Sequence, residues 1–435
     1  MSTGIIINGG SQVTGDIHVS GSKNSGLALM AAALLATGTI MLDGMPPVSD
    51  VKNMSRILQC LGADVSRVDD ALYITTNNKK FQSIPEGLSA SLRASILVLG
   101  PLLGRFGRAK LSLPGGCTIG VRPIEEHIRG LEKLGARVTL NEQYIEAHAS
   151  RLHGAVIHMQ TPSVTGTMNL MMASCLARGV TQIHNAAREP EVVDLTSFLI
   201  SMGAQIKGLG TAHLTIIGRH ELLSPCRYQV MQDRIEAGTF LILGAIAGDS
   251  LTVHGCKAEH QAMLIKKLRA VGAIIEISVD AVTVHKAERP LAVDIRTGPY
   301  PAFPTDLQPQ FMVLLSLAHG ISRIAETVYE RRFDQAFGLQ AMGADIQIHE
   351  QTAIMSGVNK LSAASVSGSD LRSAASLVLA AIVAEGISVV QGTKYLDRGY
   401  HDLESKLAKI GITLHRSQEH VEVDKRETKL IVSAL

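Results

Sequence analysis

At 435 residues the chain exceeds what one hydrophobic core normally supports, so two domains are expected. Hydrophobic residues make up 46% of it but aromatics only 3%, with no Trp and 40 Gly, which excludes a disordered or collagen-like chain and points to close-packed aliphatic helices. A formal charge of +2 and few aromatic stacking platforms exclude a general nucleic-acid binder.

Taken in chain order, the first 20 residues lack a basic stretch leading into an apolar one, so no signal peptide is read there. The apolar run 27–36 follows, well short of the ~20 residues that cross a bilayer. The expectation is a soluble, cytoplasmic protein with no membrane partner. After this run come a β-like stretch, 39–42, and a helix of mixed apolar and charged positions, 50–63, ending in Leu61-Gly62-Ala63. That order then recurs. Apolar segments 96–103, 170–177, 240–247, 311–318 and 375–384 are followed by helix ends at Leu134-Gly135-Ala136, Met202-Gly203-Ala204, Val271-Gly272-Ala273, Met342-Gly343-Ala344 and Ile410-Gly411-Ile412. The six glycines lie 68 to 73 residues apart, the signature of an internal repeat. A terminal Gly suits the left-handed position that closes a helix.

A helix apolar on every side must be buried on every side, whereas the mixed helices 50–63 and 261–273 should show one face to water. Three buried helices enclosed by three amphipathic ones and by sheets make a compact domain, and six repeats make two. Polar residues sit just before the buried helices: Lys23-Asn24, Arg93, Thr165-Gly166-Thr167, Asp233-Arg234-Ile235-Glu236, Asp306 and Asp370-Leu371-Arg372. Helix starts favour anions, so cations gathered there imply an anionic ligand, bound in a cleft lined by helix starts of both domains. Singly, Asp306 and Asp370 also read as N-caps, and Arg93 and Arg372 as members of structural ion pairs.

Neither common nucleotide motif is present. Five residues separate Gly15 from Gly21, and Ser22 intervenes before Lys23, so the phosphate-loop pattern fails. Gly208-Leu209-Gly210 lacks the third glycine of a dinucleotide fingerprint. The five cysteines are odd in number and widely spaced, implying neither a disulfide framework nor a zinc site. Segment 113–123, Leu-Pro-Gly-Gly-Cys-Thr-Ile-Gly-Val-Arg-Pro, reads as a loop rather than a core strand. There Cys117, near Arg122, is expected to be a reactive thiol, whereas Cys60, Cys175, Cys226 and Cys256 read as buried structural ones. The charge run 425–429 reads as a solvated strand or tail.

These segments carry a resemblance. Ser20-Gly21-Ser22-Lys23-Asn24, Pro114-Gly115-Gly116-Cys117 with Ile119-Gly120-Val121-Arg122-Pro123, and Asn185-Ala186-Ala187-Arg188-Glu189-Pro190-Glu191 resemble the bacterial UDP-N-acetylglucosamine 1-carboxyvinyltransferase (enolpyruvyl transferase) family. So do Ala302-Phe303-Pro304-Thr305-Asp306, Asp370-Leu371-Arg372 and Arg398-Gly399-Tyr400. The resemblance runs essentially end to end. It implies an α/β fold, the two-domain inside-out α/β barrel, each domain three repeats of a βαβαββ-type unit. The expected division is residues 1–21 plus 231–435 as one domain and 22–230 as the other.

It also implies transfer of the enolpyruvyl group of phosphoenolpyruvate to the 3′-hydroxyl of UDP-N-acetylglucosamine with release of phosphate, the first committed step of peptidoglycan synthesis. By that likeness Lys23, Asn24, Arg122, Arg372 and Arg398 would hold phosphoenolpyruvate. Arg93, Asn24, Arg122, Pro123, Ile124, Ser163, Val164, Asp306 and Val328 would hold the nucleotide sugar. Cys117 would supply acid or covalent-adduct chemistry, Asp306 would remove the hydroxyl proton, and Lys23 and Arg398 would join them in catalysis. No cofactor or metal is implied, since arginines already neutralise the phosphate. Three departures stand out: Ser25-Gly26-Leu27-Ala28 replaces the common Ala-Ala-Leu-Pro, Met168 stands where Glu is frequent, and Leu97 where Trp is frequent. The related 5-enolpyruvylshikimate-3-phosphate synthases share the donor but lack the Pro-Gly-Gly-Cys loop.

Overall fold

A computed structural model describes residues 4–77, 84–113, 124–417, 420–423 and 430–433. They form two compact units, one of residues 4–20 with 232 onward and the other of described residues between 21 and 231. Each has its own hydrophobic core, and the two cores share no residue. Cys117, Arg122, Pro123 and the whole 425–429 charge run lie outside the described residues.

The apolar segments form the centre of each unit. Leu371–Val383 buries every residue but Val383, and Arg234–Ala247 every residue but Arg234 and Ile246, as all-round apolar helices must. With Gln308–Ser316 they pack against one another in the first unit. Lys23–Ala32, Leu99–Phe106 and Val164–Ser174 do the same in the second, aided by short 3-10 turns. The run 96–103 is not one helix. Arg93–Val98 is a 3-10 segment, and the α-helix starts afresh at Leu99. Pro101, having no N–H, is accommodated in the first turn of that new helix.

The mixed helices lie outside these. Ala262–Ala270 buries Leu264, Ile265 and Leu268 and turns Lys266 and Arg269 to water. Each of the six glycines after such a helix is left-handed, with φ of 85° at Gly62, 94° at Gly135, 95° at Gly203, 97° at Gly272, 93° at Gly343 and 90° at Gly411. The next residue's N–H reaches back five residues each time, as Ala63 to the Leu58 carbonyl and Ile412 to that of Leu407, the Schellman closure.

Sheets form the outer layer. Among the described residues the first unit has three sheets of four strands and one of two, and the second has two of four and one of three. Gly4–Asn8 pairs antiparallel with both Ile387–Gln391 and Leu414–Ser417, tying the chain's start to its last repeat. Arg227–Gln229 pairs parallel with Gly38–Asp43, tying the last repeat of the second unit to its first. Helices inside and sheets outside make this the inside-out α/β arrangement. Among the described residues, no helix is long and apolar enough to cross a membrane.

Candidate functional site

In the unit spanning 21–231, candidate side chains cluster at the starts of buried helices. Ser22 caps Lys23–Ala32, its hydroxyl accepting from the Ser25 N–H at 3.2 Å. Lys23 is the first helical residue, where a cation opposes the helix dipole. It is buried, and its Nζ lies 3.1 Å from Oδ2 of Asp50, itself buried on helix Ser49–Cys60. Asn24 follows, half-buried. Ser163 caps Val164–Ser174, accepting from the Gly166 N–H at 3.2 Å, and Val164 opens the helix. Ile124 immediately precedes helix Glu125–Lys133.

Arg93, half-buried at the start of its 3-10 segment, acts on a residue that sequence reading passed over. His127 is buried, and burial first, then the Arg93 charge, pushes its pKa down to about 4. The neutral ring is wired at both nitrogens, with Nδ1 2.9 Å from Asn169 Nδ2 and Nε2 3.1 Å from Thr165 Oγ1. An amide donor at Nδ1 places the ring proton on Nε2, facing Thr165. Asn169 also donates to the Ile96 carbonyl and accepts from the Gly100 N–H, so one side chain fixes two helix starts. A second polar link begins at Ser25, one of the family departures. Its hydroxyl donates to Asp194, which also accepts from Tyr228 Oη at 2.9 Å. Burial raises the Asp194 pKa against these hydrogen bonds.

In the other unit the sequence-predicted residues meet directly. Asp306 lies in the turn Thr305–Leu307 before helix Gln308–Ser316 and is not an N-cap. Its Oδ1 lies 2.7 Å from Arg332 and its Oδ2 3.1 Å from Arg372. Both guanidiniums are almost wholly buried, whereas the Asp306 side chain is 28% exposed. Burial is the largest influence and alone would lower both arginine pKa values. The Asp306 charge, joined by Tyr329 and Asp370 at Arg332 and by Tyr400 and Asp233 at Arg372, raises them on balance. Asp370 is an N-cap, accepting from the Arg372 and Ser373 N–H groups, and so sets Arg372 in the first helical turn. Tyr400 Oη takes a long 3.4 Å bond from Arg372 and stands 2.8 Å from Thr239 Oγ1. Arg398, half-buried, ends the turn Thr393–Arg398 two residues earlier.

Arg332 was missed because nothing in Glu330-Arg331-Arg332-Phe333 distinguishes it from a surface cation; only the fold brings it to Asp306. It also donates to Thr305, which donates to the buried Glu326. Glu326 in turn accepts the Val328 N–H at 2.9 Å, so that backbone donor is already engaged while the Val328 side chain stays exposed. Of the four cysteines read as buried structural thiols, Cys175 and Cys256 are, and burial pushes both thiols up to about 12. Cys60 and Cys226 are only half-buried, because each lies on the outer layer rather than the helical core. Two surface depressions, one bordered by Arg105, Arg151 and His220 and one by Gly272, Arg289 and His319, contain none of the candidate side chains. Among the described residues no group of three or more His, Cys, Asp or Glu is placed to share a metal ion.

The sequence signature of EPSP synthase (3-phosphoshikimate 1-carboxyvinyltransferase) matches residues 7–407. Among curated proteins, the UDP-N-acetylglucosamine 1-carboxyvinyltransferase of Thermodesulfovibrio yellowstonii is 44% identical over 95% of this chain and 99% of its own. That of Synechococcus sp. strain CC9605 is 47% identical over 94% of this chain and 96% of its own. Among solved structures, the enolpyruvyl transferase NikO from Streptomyces tendae superposes with a TM-score of 0.85 at 23% identity, covering 96% of this chain and 99% of that one. EPSP synthase from Acinetobacter baumannii gives 0.73 at 18% identity over 96% and 100%. Those two likenesses speak for the fold.

Proposed function

The chain belongs to the enolpyruvyl transferase family, with the UDP-N-acetylglucosamine 1-carboxyvinyltransferases, and from that premise we propose how its residues carry the reaction. The enzyme joins phosphoenolpyruvate to the 3′-hydroxyl of UDP-N-acetylglucosamine by addition and elimination. The hydroxyl oxygen adds to C2 of phosphoenolpyruvate while its methylene carbon takes a proton. That carbon then gives up a proton, the C2–O bond to phosphate breaks, and the enol ether re-forms on the sugar. This is the first committed step of peptidoglycan synthesis, and the reading places it in the cytoplasm.

The observation that carries the residue assignment is the Asp306 carboxylate, open to solvent between two buried guanidiniums at a helix start. Arg372, with Lys23, Asn24, Arg122 and Arg398, is assigned to the phosphate and carboxylate of phosphoenolpyruvate. An anion arriving at Arg372 competes with Asp306 for it, leaving the carboxylate to take the sugar hydroxyl proton. Arg93, Asn24, Arg122, Pro123, Ile124, Ser163, Val164, Asp306 and Val328 are assigned to the nucleotide sugar. Cys117 is assigned to acid or adduct chemistry.

Phosphate release with phosphoenolpyruvate and UDP-N-acetylglucosamine tests this. Asp306→Asn and Cys117→Ala should each lower the rate by about 10²–10⁴-fold, the usual yield of general acid–base groups. Full activity in Asp306→Asn would remove it as the base, and turnover with UMP or shikimate 3-phosphate in place of the nucleotide sugar would overturn the acceptor. Fosfomycin should alkylate Cys117, because the raised thiol pKa values leave Cys175 and Cys256 protonated. Peptide mapping that finds either of those modified contradicts the assignment.

A further inference from the structure

Three histidines lie side by side on one outer sheet, and none of them is assigned to the reaction. They end or begin neighbouring strands: His158 in Val156–His158, His184 in Val180–His184 and His213 in His213–Ile217. His184 is in register with both others, parallel to His158 and antiparallel to His213. Because Ile157, Ile183 and Leu214 face the core, the alternation of each strand turns all three imidazoles outward. His158 and His184 stack with ring centroids 4.6 Å apart and planes within 10°. Nδ1 of His184 lies 3.0 Å from Nδ1 of His213. A hydrogen bond between two Nδ1 atoms needs one to be bare, so this contact already holds a lone pair aimed at the other ring.

We propose that His184 and His213 chelate a divalent transition-metal ion, of the Zn²⁺, Ni²⁺ or Cu²⁺ class, through their facing Nδ1 atoms. Imidazole suits these ions. With metal–nitrogen bonds of about 2.0–2.1 Å, two ligand nitrogens at ordinary coordination angles stand about 2.9–3.4 Å apart. The 3.0 Å already present falls in that span, so the nitrogens need not move apart. The proton between the rings has to leave, and each ring has to tilt, turning its lone pair from the other nitrogen toward the metal. The proton moves to Nε2 of the same ring through solvent, which leaves both imidazoles neutral with Nε2–H outward and both lone pairs on the metal. Water completes the coordination, consistent with two protein ligands rather than three. The stacked His158 ring restricts how His184 can rotate and so lowers the ordering needed on binding. The first unit carries a contrasting pair at matching strand ends. His18 stacks on His254 at 4.5 Å, but His254 Nε2 is 2.7 Å from Asp16 Oδ1, so that nitrogen faces a carboxylate rather than a second imidazole.

Untagged full-length protein titrated calorimetrically with NiCl₂ at pH 8 tests this, with copper(II) paramagnetic resonance to count nitrogen ligands. One ion per chain is expected, with nitrogen hyperfine structure from two imidazoles. His184→Ala and His213→Ala should each weaken binding at least about tenfold, and His254→Ala should leave it unchanged. Where an alanine variant melts lower than wild type without metal, His213→Gln, on an exposed position, replaces it. Undiminished binding in the His184 and His213 variants, or loss in His254→Ala instead, overturns the proposal.

Discussion

Lys23 and Asp50 show how a single residue can look functional and be structural as well. A lysine in the first helical turn reads as an anion ligand, but its Nζ is held 3.1 Å from a carboxylate 27 residues away, and both side chains are almost wholly buried. Removing one partner takes a buried counter-charge from the other. Asp50→Ala should therefore destabilise by about 3–5 kcal/mol in urea unfolding, while Lys23→Met with Asp50→Leu recovers most of that loss. His127 offers a pH test. The unfolded ring takes a proton near 6.5 and the folded one only near 4, so the folded state binds fewer protons between those values. The stability is complete above pH 6.5 and is lost as pH falls toward 4, by about 2 kcal/mol at pH 5. His127→Gln should flatten that part of the profile when unfolding is compared at pH 7 and pH 5. An equal slope in the variant would assign the acid sensitivity elsewhere. Lys23, Arg93, Asp306 and Arg372 were legible because each sits beside an apolar run. Arg332, His127, Asn169 and Asp194 were not, because their partners lie far along the chain and nothing local marks them.

At the scale of the element, the repeat was the most readable feature. Helix closure by a left-handed residue is a local requirement, so sequence spacing alone exposes it, and all six glycines adopt that geometry. Boundaries were less legible. The helix expected at 261–273 is Ala262–Ala270, and the run 96–103 divides at a restart set by Pro101 and by Asn169 bonding to Gly100. Gly343 isolates the backbone term, since a Cβ there would meet nothing within 4 Å. Gly343→Ala should thus cost about 1–2 kcal/mol through the left-handed conformation alone, with no repacking of neighbours. Gly343→Asn should cost less, because Asn visits that region more readily. Equal stability of wild type and the alanine variant in urea would show that the helix end can close another way.

For the whole molecule, the absence of Trp and the low aromatic content follow from six helices enclosed on all sides, where small and aliphatic side chains let backbones approach. Those helices fall into two sets with separate cores, and that separation has an energetic consequence. Leu314 is fully buried in the centre of the unit that holds Asp306. Leu314→Ala removes its contacts and leaves a cavity, a loss of about 2–5 kcal/mol. Because each unit buries its own set of apolar residues and cooperative units can open separately, that loss should be confined. Native-state hydrogen exchange should show faster opening of Arg234–Ala247, Gln308–Ser316 and Leu371–Val383. Protection in Lys23–Ala32, Leu99–Phe106 and Val164–Ser174 should stay at its wild-type level. A matched fall in all six helices would mean that the two cores unfold as one, and that a change in either set of helix starts is felt energetically by the other.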